Sequence, residues 1–111
     1  MFIKKPYNTI LGTLTVKNKN NEKVIEIKTG ASDEDEVSII VEELLGVLNY
    51  HKEIDFDSCT SEMAINIYVA EGEFPSIEIN RVYIDILDKI NCKLTFNINE
   101  NLEYLKYETD D

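Results

Sequence analysis

The chain has 111 residues, with 11 Lys plus Arg against 22 Asp plus Glu, a formal net charge of −11 and a pI near 4.4. At this length one core can be buried and a second domain has no room, and a hydrophobic content of 43% belongs to a folded chain rather than a disordered acidic one. So acidic a surface is repelled by phosphate backbones and anionic lipid, which argues against direct nucleic-acid binding and membrane-surface binding and makes a basic partner the natural complement.

Charge is divided along the chain. Residues 1–30 carry six Lys and two Glu, net +4, whereas residues 31–111 carry five cations and twenty acids, net −15. Lys4, Lys5 and Pro6 precede any apolar run, so no targeting signal is expected. The longest apolar stretch, 37–47, is broken by Ser38, Glu42, Glu43 and Gly46, short of the ~20 residues of a membrane span. Cys59 and Cys92 form no CxxC pair and share the chain with a single histidine. They assemble no zinc or redox motif, and both are read as reduced thiols of a cytoplasmic protein.

Leu14 and Val16 alternate with Thr13, Thr15 and Lys17; an Asn-rich break over 17–22 follows, and Ile25 and Ile27 resume the alternation. Period 2 around such a break predicts a Lys-rich β-hairpin over 1–30, with the turn type and register open because the turn lacks glycine. Ser32 is expected to N-cap the first helix with Asp35 at the third position, and Asp33, Glu34 and Glu36 to add charge to its first turn. Val37, Ile40, Val41, Leu44, Leu45 and Leu48 then form a full apolar stripe, with Glu42 and Glu43 turned away.

The helix should end near Asn49. In the polar connector beyond it, Ile54 and Phe56 either make a short strand or pin the loop. Met63, Ile65, Ile67 and Val69 predict a central strand whose other face, Ala64, Asn66, Tyr68 and Ala70, is also largely apolar. Asn80 is placed to cap a second helix, with Ile79 and Ile84 as its hydrophobic staple and Val82, Tyr83, Ile86, Leu87 and Ile90 as its buried face. Asn91 suits the left-handed position that ends helices, Cys92, Leu94, Phe96 and Ile98 mark the last strand, and residues 100–111 form a tail. The expected fold is one α+β domain over 1–111, in the order β-β-α-β-α-β. It is a two-layer sandwich in which a mostly antiparallel sheet carries two amphipathic helices on one face.

Four segments carry a resemblance: SDEDEVSIIVEELLGVL, MAINIYVAEGEFPSIEIN, VYIDILDKI and NCKLTFNI. Over residues 32–99 they resemble a family of small bacterial proteins, a domain of unknown function that occurs among toxin-immunity genes. The resemblance implies a cytoplasmic bacterial α+β domain without established catalysis, sometimes serving as an immunity protein. Members open with a strand and a short helix before a leucine-glycine-x-x-proline turn. This chain departs there, with its Lys-rich hairpin.

The residues offer little for catalysis. His51 lies just past a helix end, where a cation suits the dipole, and no base is paired with a nucleophile by spacing. Asp55 and Asp57 begin like an EF-hand loop, but Thr60 stands where glycine is needed and no Glu occupies the twelfth place. Gly12, Gly30, Gly46 and Gly72 are isolated, so no phosphate-cradling loop is expected. No enzyme, cofactor or metal is therefore predicted.

What remains is an acidic face: Asp33, Glu34, Asp35, Glu36, Glu42, Glu43, Glu53, Asp55 and Asp57 fall within 25 residues. On one reading it only solubilises the domain. On the other it meets a basic protein, either a toxin or a nucleic-acid-binding protein, and the family resemblance turns this into an immunity-type inhibitor that acts by occlusion. An alternative is a phage-type anti-defence inhibitor with a nucleic-acid-mimicking surface. Against it, Glu36 and Glu43 stand about 10 Å apart along a helix axis, where a duplex carries a charge every ~1.7 Å. A third reading is a small-molecule-binding domain using Tyr50, Tyr68 and Tyr83.

Overall fold

The computed structural model describes residues 8–32, 36–51, 53–69 and 74–100. Within them the order is β1 (Thr9–Lys17), β2 (Lys23–Ser32), α1 (Val37–Leu48), a 3-10 turn (Phe56–Ser58), β3 (Thr60–Val69), α2 (Arg81–Lys89) and β4 (Cys92–Glu100). The strands form one sheet in the order β2-β1-β3-β4. The α+β two-layer architecture is as expected, with one refinement. β1 pairs antiparallel with β2 and β3, whereas β3 and β4 are parallel. Two strands joined by a helix rather than by a turn can run the same way, because the helix carries the chain back along the sheet.

The hairpin loop is fixed by asparagine in place of glycine. Asn18 Oδ1 accepts hydrogen bonds from the backbone of Asn20 and Glu22, both at 3.0 Å. Asn21 takes the left-handed conformation with φ 62°, which Asn tolerates through its short polar side chain. The register then slips between Val16 and Lys17, so that Val16 faces Ile25 and Lys17 faces Lys23. This bulge, together with Lys23 and Lys28, protects β2 as an outer strand.

Alternation assigns the two faces of the sheet. Ile10, Leu14, Val16, Ile27, Met63, Ile65, Ile67 and Val69 are buried against the helices in one core with Val37, Ile40, Val41, Leu44, Leu45, Leu48, Leu87 and Ile90. Gly12 lies on this inner face. A Cβ built there would stand 2.5 Å from Ile40 Cγ2 and 2.9 Å from Leu44 Cδ1, so α1 approaches the sheet closest where a side chain is missing. The opposite face, including Thr13, Thr15, Lys28, Glu62, Lys93, Thr95 and Asn97, carries no helix among the described residues.

Two expectations about the helices are corrected. Ser32 ends β2 and does not cap α1. The helix starts at Val37, with Glu36 as an extended N-cap that makes no side-chain capping bond and with no acid in the first turn. The backbone supplies the cap instead: Glu36 bridges Ser76, and the Val37 N–H donates to the Ser76 carbonyl at 3.1 Å. Asp33, Glu34 and Asp35 lie outside the described residues. On α2, Leu87 and Ile90 are buried and Tyr83 and Ile86 half-buried, but Val82 is 60% exposed, because a nine-residue helix against one outer strand buries only a narrow stripe.

The asparagine end signals hold, whereas of the expected staple Ile79 packs on the core and Ile84 is 50% exposed. Asn80 Oδ1 accepts from the Val82 N–H at 3.0 Å, Asn91 takes φ 52°, and α1 stops at Leu48 with Asn49 as its C-cap. Ile54 and Phe56 pin the connector by packing on the core. Phe56 opens the 3-10 turn, which Asp55 caps. The tail 101–111 lies outside the described residues.

Candidate functional site

Most acids of the described chain lie on the helix side. Glu42 and Glu43 are both exposed, yet as helix neighbours they diverge by about 100° and flank α1 rather than share one face. Glu43 reaches down to β2, where its Oε2 accepts from Thr29 Oγ1 at 2.5 Å. Glu42 turns toward α2 and lines a recess of about 360 Å³ with Glu36 and Glu78. Three carboxylates therefore share the pocket made where the Glu36–Ser76 bridge draws the approach to α2 against the start of α1. Glu78 had no signal in the sequence, because its partners there lie about forty residues away and only the backbone bridge joins the two segments.

At the other end of α1 the connector builds a second acidic corner. Glu53, Asp55, His51 and Cys59 line a cleft of about 470 Å³ over Asn18, Val24 and Ile25 of the hairpin. His51 Nδ1 lies 3.4 Å from Glu53 Oε1. A bond from Glu53's own backbone N–H, then the imidazole, holds the Glu53 carboxyl below the usual carboxylate range. Asp55 is partly committed to structure. Its carboxylate accepts from the Asp57 N–H at 3.2 Å and from Ser58 Oγ at 2.9 Å, closing the 3-10 turn. Asp57 follows on that turn, exposed.

Glu36, Glu42, Glu43, Glu53, Asp55 and Asp57 are thus strung along α1 and its connector, over the ~18 Å that a twelve-residue helix spans. Exposed Asp85 and Asp88 of α2 extend the same side, where Arg81 and Lys89 are the opposing Lys or Arg residues among those described. On the uncovered sheet face the balance reverses. Lys17, Lys23, Lys28 and Lys93 outnumber Glu26 and Glu62, and the bond from Lys23 holds the Glu26 carboxyl below its ordinary value. The division of charge along the sequence becomes a division between two faces of the domain.

Other constellations do not converge. His51 and Cys59 share a cleft, but no hydrogen bond joins them, and among the described residues no three His, Cys, Asp or Glu are grouped to hold a metal ion. Tyr50 is 85% exposed, Tyr68 belongs to the uncovered face of β3, and Tyr83 lines the α1–α2 cleft. The three tyrosines frame no common pocket. No described helix is long and apolar enough to cross a membrane.

Both cysteines are free thiols, half-buried against the core. Burial pushes the Cys92 thiol up to about 11, against 9.0 for an ordinary cysteine. The thiolate is the reactive form, so timed alkylation at pH 8 should modify Cys92 about 100-fold more slowly in the folded protein than in denaturant. Equal rates by peptide mass spectrometry would contradict this burial.

No protein-family model, curated protein or solved structure matches this chain.

Proposed function

We propose that this chain is a non-catalytic acidic protein-binding module of the cytoplasm, an immunity-type inhibitor that occludes a basic partner such as a toxin or nucleic-acid-binding protein. The supporting observation is the separation of charge between the two faces. Glu36, Glu42, Glu43, Glu53, Asp55, Asp57 and Glu78 all lie on the helix side, whereas the lysines of the first strands lie across the sheet. A basic cleft is steered toward one side of such a molecule and repelled by the other, which raises the encounter rate and fixes orientation. Two free thiols accord with a reducing compartment.

The experiment is capture from source-cell lysate with the wild-type chain and with the charge-reversed double variant Glu42→Lys/Glu43→Lys. One basic protein should be retained by the wild type, released between about 50 and about 300 mM salt, and bound at least tenfold more weakly by the variant. Both positions are exposed, so circular dichroism of the variant should match the wild type. Retention unaffected by salt and by reversal would refute an acidic interface on α1.

A further inference from the structure

The sheet has two outer strands, and they differ in kind. β2 carries the bulge at Val16/Lys17 and the charges Lys23, Glu26 and Lys28. β4 has no bulge, and its charges are confined to its two ends, Lys93 and Glu100. It pairs with β3 in unbroken register over nine residues, and among the described residues no strand lies on its other side. Its inner-face residues are also incompletely covered: Leu94 and Phe96 are half-buried and Ile98 is 55% exposed. α2, the helix packed on β4, leaves Val82 and Ile84 exposed as well. A long, regular edge with an incompletely covered apolar inner face is a template for strand addition.

The sequence of β4 specifies which strand it suits. Read outward from Phe96, the residues are Thr95 and Asn97, then Leu94 and Ile98, then Lys93 and Asn99. The pattern is palindromic in character. In an antiparallel pairing of β4 with its own copy about Phe96, Leu94 stands opposite Ile98 and Phe96 opposite Phe96, all on the inner face. On the outer face Thr95 stands opposite Asn97 and Lys93 opposite Asn99. Directly opposed residues share a face, so apolar meets apolar and polar meets polar. Lys93, the charged residue of this stretch, does not meet itself.

We propose that β4 is a homodimerisation edge, through which two copies of this chain join about a two-fold axis at Phe96 into one eight-stranded sheet. The axis stands normal to the sheet and keeps both helix layers on the same side. Six apolar side chains, Leu94, Phe96 and Ile98 from each copy, then form a continuous strip. α1 packs on β1 and β2, the other half of the sheet, so the dimer leaves Glu42 and Glu43 of both copies open.

This contact and the acidic interface respond oppositely to salt. Two chains of net charge −11 repel, and screening that repulsion strengthens an apolar strand-to-strand contact while weakening an acid-to-base one. Sedimentation velocity of the full chain at about 5 and about 100 µM should show a concentration-dependent shift from 12.8 kDa toward twice that mass, larger at higher salt. Ile98→Lys should weaken the dimer at least tenfold and leave circular dichroism unchanged, since the side chain is more than half exposed. Under mild oxidation Phe96→Cys should cross-link to its own copy through position 96, whereas Asn97→Cys, offset by two positions from itself, should not.

A chain that is monomeric at both concentrations and both salts overturns the proposal. So does a dimer indifferent to Ile98→Lys. Slow exchange of those β4 amides that point away from β3, in a monomeric chain, would also overturn it, since that would show the edge covered from within. Failure of the Glu42→Lys/Glu43→Lys experiment leaves this result unaffected, because those two residues stand on α1, over the other half of the sheet.

Discussion

Replacing Gly12 with valine is expected to destabilise the domain by about 3 kcal/mol or more, read as a lower urea midpoint at unchanged slope. The cause is local. The first added carbon would lie 2.5 Å from Ile40 Cγ2, 2.9 Å from Leu44 Cδ1 and 3.2 Å from Ile65 Cδ1. Ile40 cannot rotate its branched methyl away, because β-branching on a helix leaves it one favoured rotamer. The collision must therefore be absorbed by a local shift of α1 and β1 around Ile40, which loosens the core contacts packed there. Gly12→Ala should cost less, about 1 to 2 kcal/mol, since alanine's better strand propensity offsets part of the clash.

Gly30 is the control. A Cβ there would meet Leu11 Cδ2 at 2.5 Å, but that atom is the far end of a flexible, partly exposed side chain on the uncovered face. Gly30→Ala should be neutral or stabilising by about 0.5 kcal/mol. Equal behaviour of the two glycines would mean that the close approach of α1 at Gly12 is not what sets the packing distance.

Much of this fold is legible in the sequence because its signals are local. The stripe Val37, Ile40, Val41, Leu44, Leu45 and Leu48 names the six buried residues of α1, and the alternation of Met63, Ile65, Ile67 and Val69 names the inner face of β3. Asn80 and Asn91 mark the ends of α2 through properties of a single side chain. What escaped depends on distant partners. The start of α1 is set by a backbone bridge to Ser76, forty residues away, which competes successfully with the capping pattern at Ser32. The parallel β3–β4 pair depends on which strand lies beside which, and residue alternation is the same in either direction.

The acidic surface was legible as composition but not as geometry. Asp55 turns part of its hydrogen-bonding capacity inward to the 3-10 turn. Glu43 is tied to Thr29, and Glu42 joins Glu78, which the charge run did not include. A run of acids along a chain becomes several separate patches once a helix turns successive residues by about 100°.

The second large effect is at the other side of the Gly12 contact. Ile40 is fully buried beneath α1, and Ile40→Ala should cost about 3 kcal/mol, through lost transfer energy and the cavity left against β1 and β3. The informative experiment combines it with Gly12→Ala. Truncation at 40 deletes Cγ2, the atom nearest the carbon introduced at 12, so the new methyl enters the space that the truncation opens. The double variant should be about 1 kcal/mol more stable than the sum of the single effects predicts, measured by urea unfolding of the four proteins in the cycle. Strict additivity would mean that α1 moves as a rigid body when residue 12 grows, and that the clash is relieved along the helix instead of at Ile40. The two cases differ in function too. A local collision leaves Glu42 and Glu43 in place, so the double variant should keep wild-type affinity for the captured partner. A helix displaced as a unit carries both carboxylates with it and opens the recess they share with Glu36 and Glu78.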